Sequence, residues 1–189
     1  MSRELWDVYS FDRSLTGRKM YRGDPVPDGG FHLVVHICVF APDGRMLIQR
    51  RQTTKRGWPG LWDLSAGGCA VAGEDSQTAA ERELFEELGI RESFAGVRPK
   101  LSIGFETGFD DVFFTGHGAD ISDLRLQAEE VLDVRWASAD EVLRLLDEGR
   151  FVPYNASFLS LLYDIHTHGG GLDPVSYTHL RAHETRRHL

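Results

Sequence analysis

Apolar and polar positions alternate in short stretches along much of the chain, and this period of two predicts a protein rich in β-strands. The predicted strands span residues 6–9, 31–40, 45–51, 61–66, 97–106, 111–115 and 132–136. Apolar residues recur at helical spacing in three further stretches, residues 76–88, 139–146 and 156–165. Helices inserted between groups of strands favour the α/β fold class, with a mixed sheet covered by helices.

Turn-forming residues mark the expected boundaries of the domain. A dense run of glycine, proline and aspartate precedes Phe31, and a triple glycine follows His168. The expected division is a lead-in over residues 1–30, a single compact domain over residues 31–166, and an end segment over residues 167–189. Within the domain, a Pro-Asp-Gly turn after Ala41 predicts that the strands on either side of it pair as a hairpin.

The last sixteen residues differ in composition from the rest of the chain. They reverse its charge balance, hold three of its eight histidines and show no helical or strand period. The string SYTHLRAHET within them is similar to translated sequencing-adapter sequence that ends many unrelated chains. We therefore expect this tail to be non-native, and we do not treat its histidines as metal ligands.

Length and charge restrict the classes of function. A chain of 189 residues is long enough for one sizeable core and short for two. The formal net charge is −8, and the basic residues before the tail are dispersed, which argues against binding of a nucleic-acid polymer. A small polyanionic substrate would then be met through metal ions rather than through a basic patch. Oligomeric state stays open.

Cysteine content and the start of the chain indicate the compartment. Two cysteines, Cys38 and Cys69, are too few for a disulfide framework. The first residues lack the basic and apolar regions of a secretion signal, and no apolar run is long enough to span a bilayer. We expect a cytoplasmic protein without a membrane role.

Three glutamates carry the clearest chemical signal. Glu83, Glu86 and Glu87 follow one another at i, i+3 and i+4, which places three carboxylates on one face of the predicted helix at 76–88. Like charges at this spacing repel, and no lysines are interleaved to neutralise them. A solvated helix face is the alternative explanation, but a divalent cation bound among the three carboxylates is the simplest way to relieve their repulsion. Arg82 is close enough to orient a neighbouring carboxylate.

The wider segment from Gly68 to Ile90 resembles the Nudix box. That motif is glycine, five residues, glutamate, seven residues, arginine-glutamate, an aliphatic residue, one residue, two glutamates, one residue, glycine and an aliphatic residue. The chain matches it at every defined position, namely Gly68, Glu74, Arg82, Glu83, Leu84, Glu86, Glu87, Gly89 and Ile90. By this resemblance the chain is identified as a member of the Nudix hydrolase family, and the rest of the layout is similar from about residue 31 to residue 165.

The resemblance implies a fold, a cofactor and a reaction. The fold is an α/β/α sandwich with a loop-helix-loop motif that binds Mg²⁺ or Mn²⁺, and the reaction is cleavage of a diphosphate linkage in a nucleoside-diphosphate-like or other small substrate. The implied metal ligands are Gly68, Glu83, Glu86 and Glu87. Arg82 would orient the glutamates and Glu74 would hold the loop. A carboxylate must also accept a proton from water, and the candidates are Glu83, Glu86 and an acid of the pair Glu129 and Glu130.

The flanking sequence resembles a subgroup related to type I isopentenyl-diphosphate isomerase. In that alignment Gly67 stands where the isomerase has its cysteine, and Cys69 replaces a metal-binding histidine, whereas His32 matches an upstream ligand. Isomerisation of an alkene needs paired acid and base groups, so we favour hydrolysis over isomerase activity. A sensor that binds a nucleotide without cleaving it is a third hypothesis, which the complete set of glutamates disfavours.

Aromatic and histidine residues near the motif are weaker candidates. Trp58, Trp62 and Phe105 are candidates for stacking on a base or packing against hydrocarbon, although ordinary hydrophobic packing is the favoured explanation for them. His32 and His36 share one face of a predicted strand, and we expect them to line the core or a cleft rather than to bind a metal.

Overall fold

The computed structural model describes residues 3–116, 118 and 120–169, so the tail expected to be non-native lies outside the described residues. The strands are β1 (Leu5–Tyr9), β2 (Leu15–Tyr21), β3 (His32–Phe40), β4 (Met46–Arg51), β5 (Trp62–Asp63), β6 (Ala66–Cys69), β7 (Leu101–Phe105), β8 (Gly108–Gly116) and β9 (Val131–Ala137). The helices are α1 (Ser76–Leu88), α2 (Ala139–Asp147) and α3 (Ala156–His168). None of the described helices combines the length and apolar character required to cross a lipid bilayer.

The main sheet is mixed and lies between helices. Strand β3 pairs in parallel with β8 and antiparallel with β6, while β4 pairs antiparallel with β5 and β9. Alternate residues of β3 face opposite sides: Val35 and Ile37 pack with α1, whereas Cys38 and Phe40 pack with α2 and α3. Two apolar cores therefore sandwich the sheet, which confirms the predicted α/β/α class.

The predicted hairpin across the Pro-Asp-Gly turn is nearly absent. Only Phe40 and Met46 pair between β3 and β4, and the amide of Ala41 donates to the carbonyl of Arg45 across the turn. Strand β3 pairs instead with β8 and β6, and β4 pairs with β9 along almost its whole length. Strands that diverge after a turn satisfy their backbone groups with more distant partners, and local sequence does not reveal such partners.

The predicted strand at residues 61–66 is interrupted. Strand β5 ends at Asp63 and β6 begins at Ala66, so the chain leaves one strand and joins another partner within two residues. Ser65, fully buried between them, accepts a hydrogen bond from the Val39 amide at 2.8 Å and donates to the Leu47 carbonyl. This side chain provides the hydrogen bonds that the sheet lacks at the break.

The lead-in holds one strand more than predicted. Strand β2 pairs antiparallel with β1, and these two strands form a separate hairpin that we call the N-terminal hairpin. In β2 only Met20 is buried, so the strand shows no apolar alternation. The hairpin is tied to the loop before α1, where the Ala72 amide donates to the Leu5 carbonyl at 2.7 Å and the Gly73 amide to Asp7 at 2.6 Å.

Helix α1 has the predicted bounds because both of its ends carry local signals. The side chain of Asp75 accepts from the Thr78 amide at 2.8 Å, which caps the first turn. Gly89 adopts a left-handed conformation with φ 73° and ends the helix. Leu84 and Leu88 are fully buried against the sheet, so the helix is fixed both at its ends and along one face.

Candidate active site

Gly68 and Glu83 meet where β6 passes under α1. A β-carbon built on Gly68 would lie 2.2 Å from Oε1 of Glu83, far closer than any side chain tolerates. The Glu83 carboxylate therefore lies directly against the backbone of Gly68. Only glycine allows this contact, which explains the first glycine of the motif physically.

Arg82 holds the acidic groups around α1 together. Its Nε and Nη2 donate to the two oxygens of Glu74 at 2.8 and 3.0 Å, and Nη1 donates to Glu83 at 2.8 Å and Glu86 at 3.1 Å. A further hydrogen bond reaches the Cys69 carbonyl at 3.1 Å. Burial opposes the charge of this guanidinium, but Glu74 and Glu83 outweigh it and raise the pKa of Arg82. One guanidinium thus joins loop and helix.

Glu87 is the most deeply placed of the three glutamates, with 4% of its surface exposed. Its Oε2 accepts from the Gly67 amide and from Nε2 of Gln49, each at 3.0 Å. Burial, followed by the charge of Glu83, raises the pKa of Glu87 to about 7. Burial also raises the pKa of Glu83, although Arg82 opposes it. Both carboxylates are therefore incompletely compensated by the protein's own cations.

A cavity of about 110 Å³ lies beside these groups, and its walls include Gly68, Glu83, Glu86, Glu87 and Glu130. Within the part of the chain that the structure describes, no three acidic, histidine or cysteine side chains converge as a ready-made metal cage. Arg82 bridges Glu83 and Glu86 instead. The donors are nevertheless of the hard oxygen type that Mg²⁺ and Mn²⁺ prefer, and the contact with Gly68 holds the Glu83 carboxylate against the backbone of β6.

Glu130 reaches the same cavity from the turn before β9. Its carboxylate forms an ion pair with the ammonium of Lys55, and its backbone carbonyl accepts from the Gln52 amide at 2.9 Å. Burial, then the charge of Arg51, lowers the pKa of Lys55. The structure therefore brings Glu130 to the glutamates of α1, together with a lysine that the sequence analysis did not single out. Glu129 lines the adjoining space.

A groove of about 1070 Å³ continues from this cavity. Both spaces share Glu4, Arg22, Lys55 and Glu130 in their walls. The basic side chains that line the groove are Arg3, Arg22, Arg51, Lys55 and Arg56. They come from three separate parts of the chain, so the dispersed basic residues of the sequence form a basic surface in the fold. The sequence does not reveal this basic surface, because its residues are far apart along the chain.

The three aromatic candidates lie in different places. Trp58 lines the groove and is half exposed. Trp62 is buried in the core beneath α2 and α3, with the guanidinium of Arg135 over its ring at 5.0 Å. Phe105 packs edge-on against His32, at 5.4 Å between ring centroids, and lines neither the cavity nor the groove. The structure brings Trp58 alone of these three to the site.

His36 belongs to a buried polar network behind the groove. Its Nδ1 is 2.9 Å from Asp110, and its Nε2 is 3.2 Å from the hydroxyl of Tyr154, which donates to Asp63 at 2.9 Å. Asp63 in turn pairs with Arg51 at 2.8 Å. Because the tyrosine proton is used on Asp63 and carboxylates only accept, both ring nitrogens of His36 must donate, so the ring is charged. Burial opposes this charge, but Asp110 outweighs it and raises the pKa of His36 to about 9.

The glycine-rich loop, the glutamates of α1 and the mixed sheet between helices together define a hydrolase of the Nudix class. The chain belongs to this family: residues 30–161 match the NUDIX domain. The similarity to relatives extends well beyond the motif. An uncharacterised Nudix hydrolase of Listeria monocytogenes is 48% identical over 162 residues, which cover 86% of this chain and 95% of the relative.

Two further comparisons support the family and the fold. Nudix hydrolase 3 of Arabidopsis thaliana is 31% identical over 172 residues, covering 83% of this chain but 22% of the much longer plant protein. A crystal structure of a Deinococcus radiodurans protein superposes with a TM-score of 0.68 at 21% identity, covering 83% of this chain and 98% of that one. The first supports membership of the family, and the second shows that the fold is shared.

Proposed function

We propose that this Nudix hydrolase cleaves a diphosphate linkage in a small substrate with the help of Mg²⁺ or Mn²⁺. The observation that carries the proposal is the contact between Gly68 and Glu83, which holds a carboxylate against the backbone of β6 beside the cavity. Glu86 and Glu87 extend this set of oxygens along one wall of the cavity. Membership of the Nudix family agrees with this reaction class.

The proposed metal ligands are Gly68, Glu83, Glu86 and Glu87. A bound divalent cation would screen the negative charge of the diphosphate and acidify a water molecule for attack at phosphorus. Arg82 orients Glu83 and Glu86 through its hydrogen bonds to both, and its charge opposes the rise in the pKa of Glu83. Glu74 orients Arg82 in turn and accepts from the Val71 amide at 3.0 Å, so it ties the loop to the helix.

Glu130 is the proposed acceptor for the proton of the attacking water, with Glu83 and Glu86 as the other candidates. It lines the cavity together with the glutamates of α1, and Lys55 holds it by an ion pair. The same lysine places a positive charge beside the cavity, where it compensates negative charge on a bound phosphate. The roles of Arg82, Glu83, Glu86 and Glu130 as catalytic residues all belong to this proposal.

Isomerase activity is the alternative that the site favours less. Gly67 offers no functional side chain, and burial raises the pKa of the Cys69 thiol to about 12, so it is a poor source of thiolate. A non-catalytic nucleotide sensor is the other alternative, and it would not need the complete set of oxygen ligands. Cytoplasmic location and a small-molecule rather than polymeric partner accompany the proposal.

A panel of diphosphate compounds incubated with Mg²⁺ or Mn²⁺ tests the reaction. The panel contains nucleoside diphosphate derivatives and isopentenyl diphosphate, with released phosphate and dimethylallyl diphosphate measured in the same samples. We expect metal-dependent hydrolysis of at least one nucleotide-type compound and no interconversion of the two isoprenoid diphosphates. Isomerisation without hydrolysis would reject the proposal, and isomerisation that persists in Cys69→Ser would assign that chemistry to another group.

A further inference from the structure

The N-terminal hairpin forms one wall of the groove beside the proposed metal site. Arg3, Glu4, Arg22 and Gly23 line the groove and all precede residue 30, where the match to the family domain begins. The opposite wall is the segment from Arg51 to Trp58 together with the turn that carries Glu129 and Glu130. A ligand in the groove would therefore contact a part of this chain that the family domain does not include.

The groove is basic in a protein that is acidic. Five basic and three acidic side chains line it, although the formal charge of the whole chain is −8. The smaller cavity at its inner end has the opposite character, since five glutamates and three basic residues line that one. The majority of the lining charges thus shifts along the site, from carboxylates suited to cations to basic groups suited to anions, although Arg3, Arg22, Arg51 and Lys55 each pair with a carboxylate.

Two arginines of the groove can meet an anion: one has no partner among the described residues, and the other lies in an ion pair that is open to solvent. Arg56 is exposed and makes no hydrogen bond or ion pair with any residue described in the structure. Arg22 pairs with Glu4 at 2.9 Å, but the two side chains are 54% and 41% exposed. An ion pair so open to solvent contributes little to stability, and an incoming phosphate can replace the glutamate without a large cost.

Trp58 gives the groove a flat apolar surface held in a strained conformation. It is 52% exposed and has a φ of 47°, which bulky residues rarely adopt. Its loop is anchored to β4, because Nε of Arg50 donates to the Gly60 carbonyl at 2.9 Å and Nε of Arg51 to the Gly57 carbonyl at 3.0 Å. Strain that the surroundings maintain is typical of ligand-binding loops, and an exposed indole favours a planar ring.

We infer that the groove binds the arm of the substrate that extends beyond the cleaved diphosphate, and that this arm is a nucleoside bearing an additional phosphate. Arg22 of the hairpin and Arg56 bind that phosphate, and Trp58 stacks on the base. The inference rests on the proposed function for the position of the diphosphate. The five basic side chains that line the groove favour an anionic arm over an uncharged isoprenoid one.

Binding without metal tests this inference separately from catalysis. Calorimetry in EDTA compares adenosine 2′,5′-bisphosphate with AMP, which lacks the second phosphate. We expect the parent to bind the bisphosphate about tenfold more tightly, an advantage that rising salt reduces. In Arg22→Gln and in Arg56→Gln the advantage should fall to about threefold or less, whereas Arg98→Gln, an exposed arginine outside the groove, should keep it. Equal affinity for both ligands in the parent would overturn the inference.

Turnover of dinucleotides provides a second test of the inference. NADPH and NADH differ only by the 2′-phosphate, so we expect kcat/KM to favour NADPH in the parent and to become nearly equal in Arg56→Gln. A higher kcat/KM for isopentenyl diphosphate than for either dinucleotide would also overturn the inference. Absence of all hydrolysis would reject the proposed function instead, and the calorimetric comparison would still decide what the groove binds. Unchanged Tm in each variant shows that its fold is retained.

Discussion

The Glu83 carboxylate lies so close to the α-carbon of Gly68 that a β-carbon there would be 2.2 Å from Oε1 and 2.5 Å from Cδ. The contact joins the end of β6 to the middle of α1, and Arg82 secures it from the loop side through Glu74 and the Cys69 carbonyl. A strand, a loop and a helix thus meet at one point, and the proposed metal ligands lie there.

Replacing Gly68 by alanine tests this contact. The new methyl group must displace Glu83, which breaks its hydrogen bond with Arg82 and moves a proposed metal ligand. We expect a loss of stability of about 1–3 kcal/mol and a fall in metal-dependent turnover of at least about a hundredfold. Gly104→Ala is the matched control, because a β-carbon there meets nothing within 4 Å. Similar behaviour of the two variants would mean that the contact is unimportant.

Arg82→Lys tests whether one planar guanidinium is needed to hold the loop and the helix together. A lysine keeps the charge but cannot reach Glu74, Glu83 and Glu86 at once. We expect a loss of about 1–2 kcal/mol in the free energy of unfolding, measured in urea, with a larger proportional loss of turnover. Arg98→Lys, on the surface, should change neither quantity. Full activity of Arg82→Lys would show that charge alone suffices.

The buried network of His36 predicts that the difference in stability between the parent and Asp110→Asn depends on pH. Asp110, Asp63 and Glu87 all face this ring, and its folded pKa of about 9 lies above the ordinary value of 6.5. Because folding raises this pKa, the charged His36 ring stabilises the folded protein fully below about pH 6.5. This stabilisation is lost as the pH rises through about 9. Asp110→Asn should therefore be less stable than the parent by about 2–3 kcal/mol at pH 6 and by much less at pH 10.

Urea unfolding of both proteins across this range provides the measurement. Asp164→Asn on the exposed face of α3 serves as the control, and its deficit should be small at every pH. Only the difference between the parent and Asp110→Asn is interpreted, because other groups titrate in both proteins. A deficit that grows towards high pH would contradict a charged His36 in the folded protein.

Helix α1 could be predicted to the residue because its determinants are local. Asp75 caps its start, Gly89 ends it, and the spacing of Leu84 and Leu88 defines its buried face. The carboxylates on it could be predicted for the same reason, since their positions follow from the helical period. The family resemblance added roles for them that spacing alone does not supply.

Features that depend on distant pairing could not be predicted in this way. Strands β3 and β8 pair in parallel, with His32 opposite Gly108. The residues around either strand give no sign in the sequence of this pairing or of its register. The basic groove escaped notice because Arg22 and Arg56 come from separate segments that only the fold brings together. Trp62 illustrates the reverse case, since an aromatic beside the motif proved to be core.

The central claim is that Glu83, Glu86 and Glu87 bind the divalent cation used in hydrolysis. Glu86→Gln keeps the shape of the side chain and leaves an oxygen that can accept from Arg82, but it removes one negative charge. Glu86 is half exposed, so the variant should fold as the parent does. Glu106→Gln removes the same charge at an exposed position that lines neither the cavity nor the groove, and it provides the matched control.

Heat denaturation with and without Mg²⁺ compares the three proteins directly. At a concentration about tenfold above its dissociation constant, the cation should stabilise the parent by about 1.4 kcal/mol, which raises Tm by about 3–5 °C. Glu106→Gln should gain the same amount and Glu86→Gln less than half of it, with turnover of Glu86→Gln reduced at least about a hundredfold. Equal Mg²⁺-dependent shifts in Tm for all three proteins would contradict the account, because the charge of Glu86 would then contribute nothing to binding of the cation.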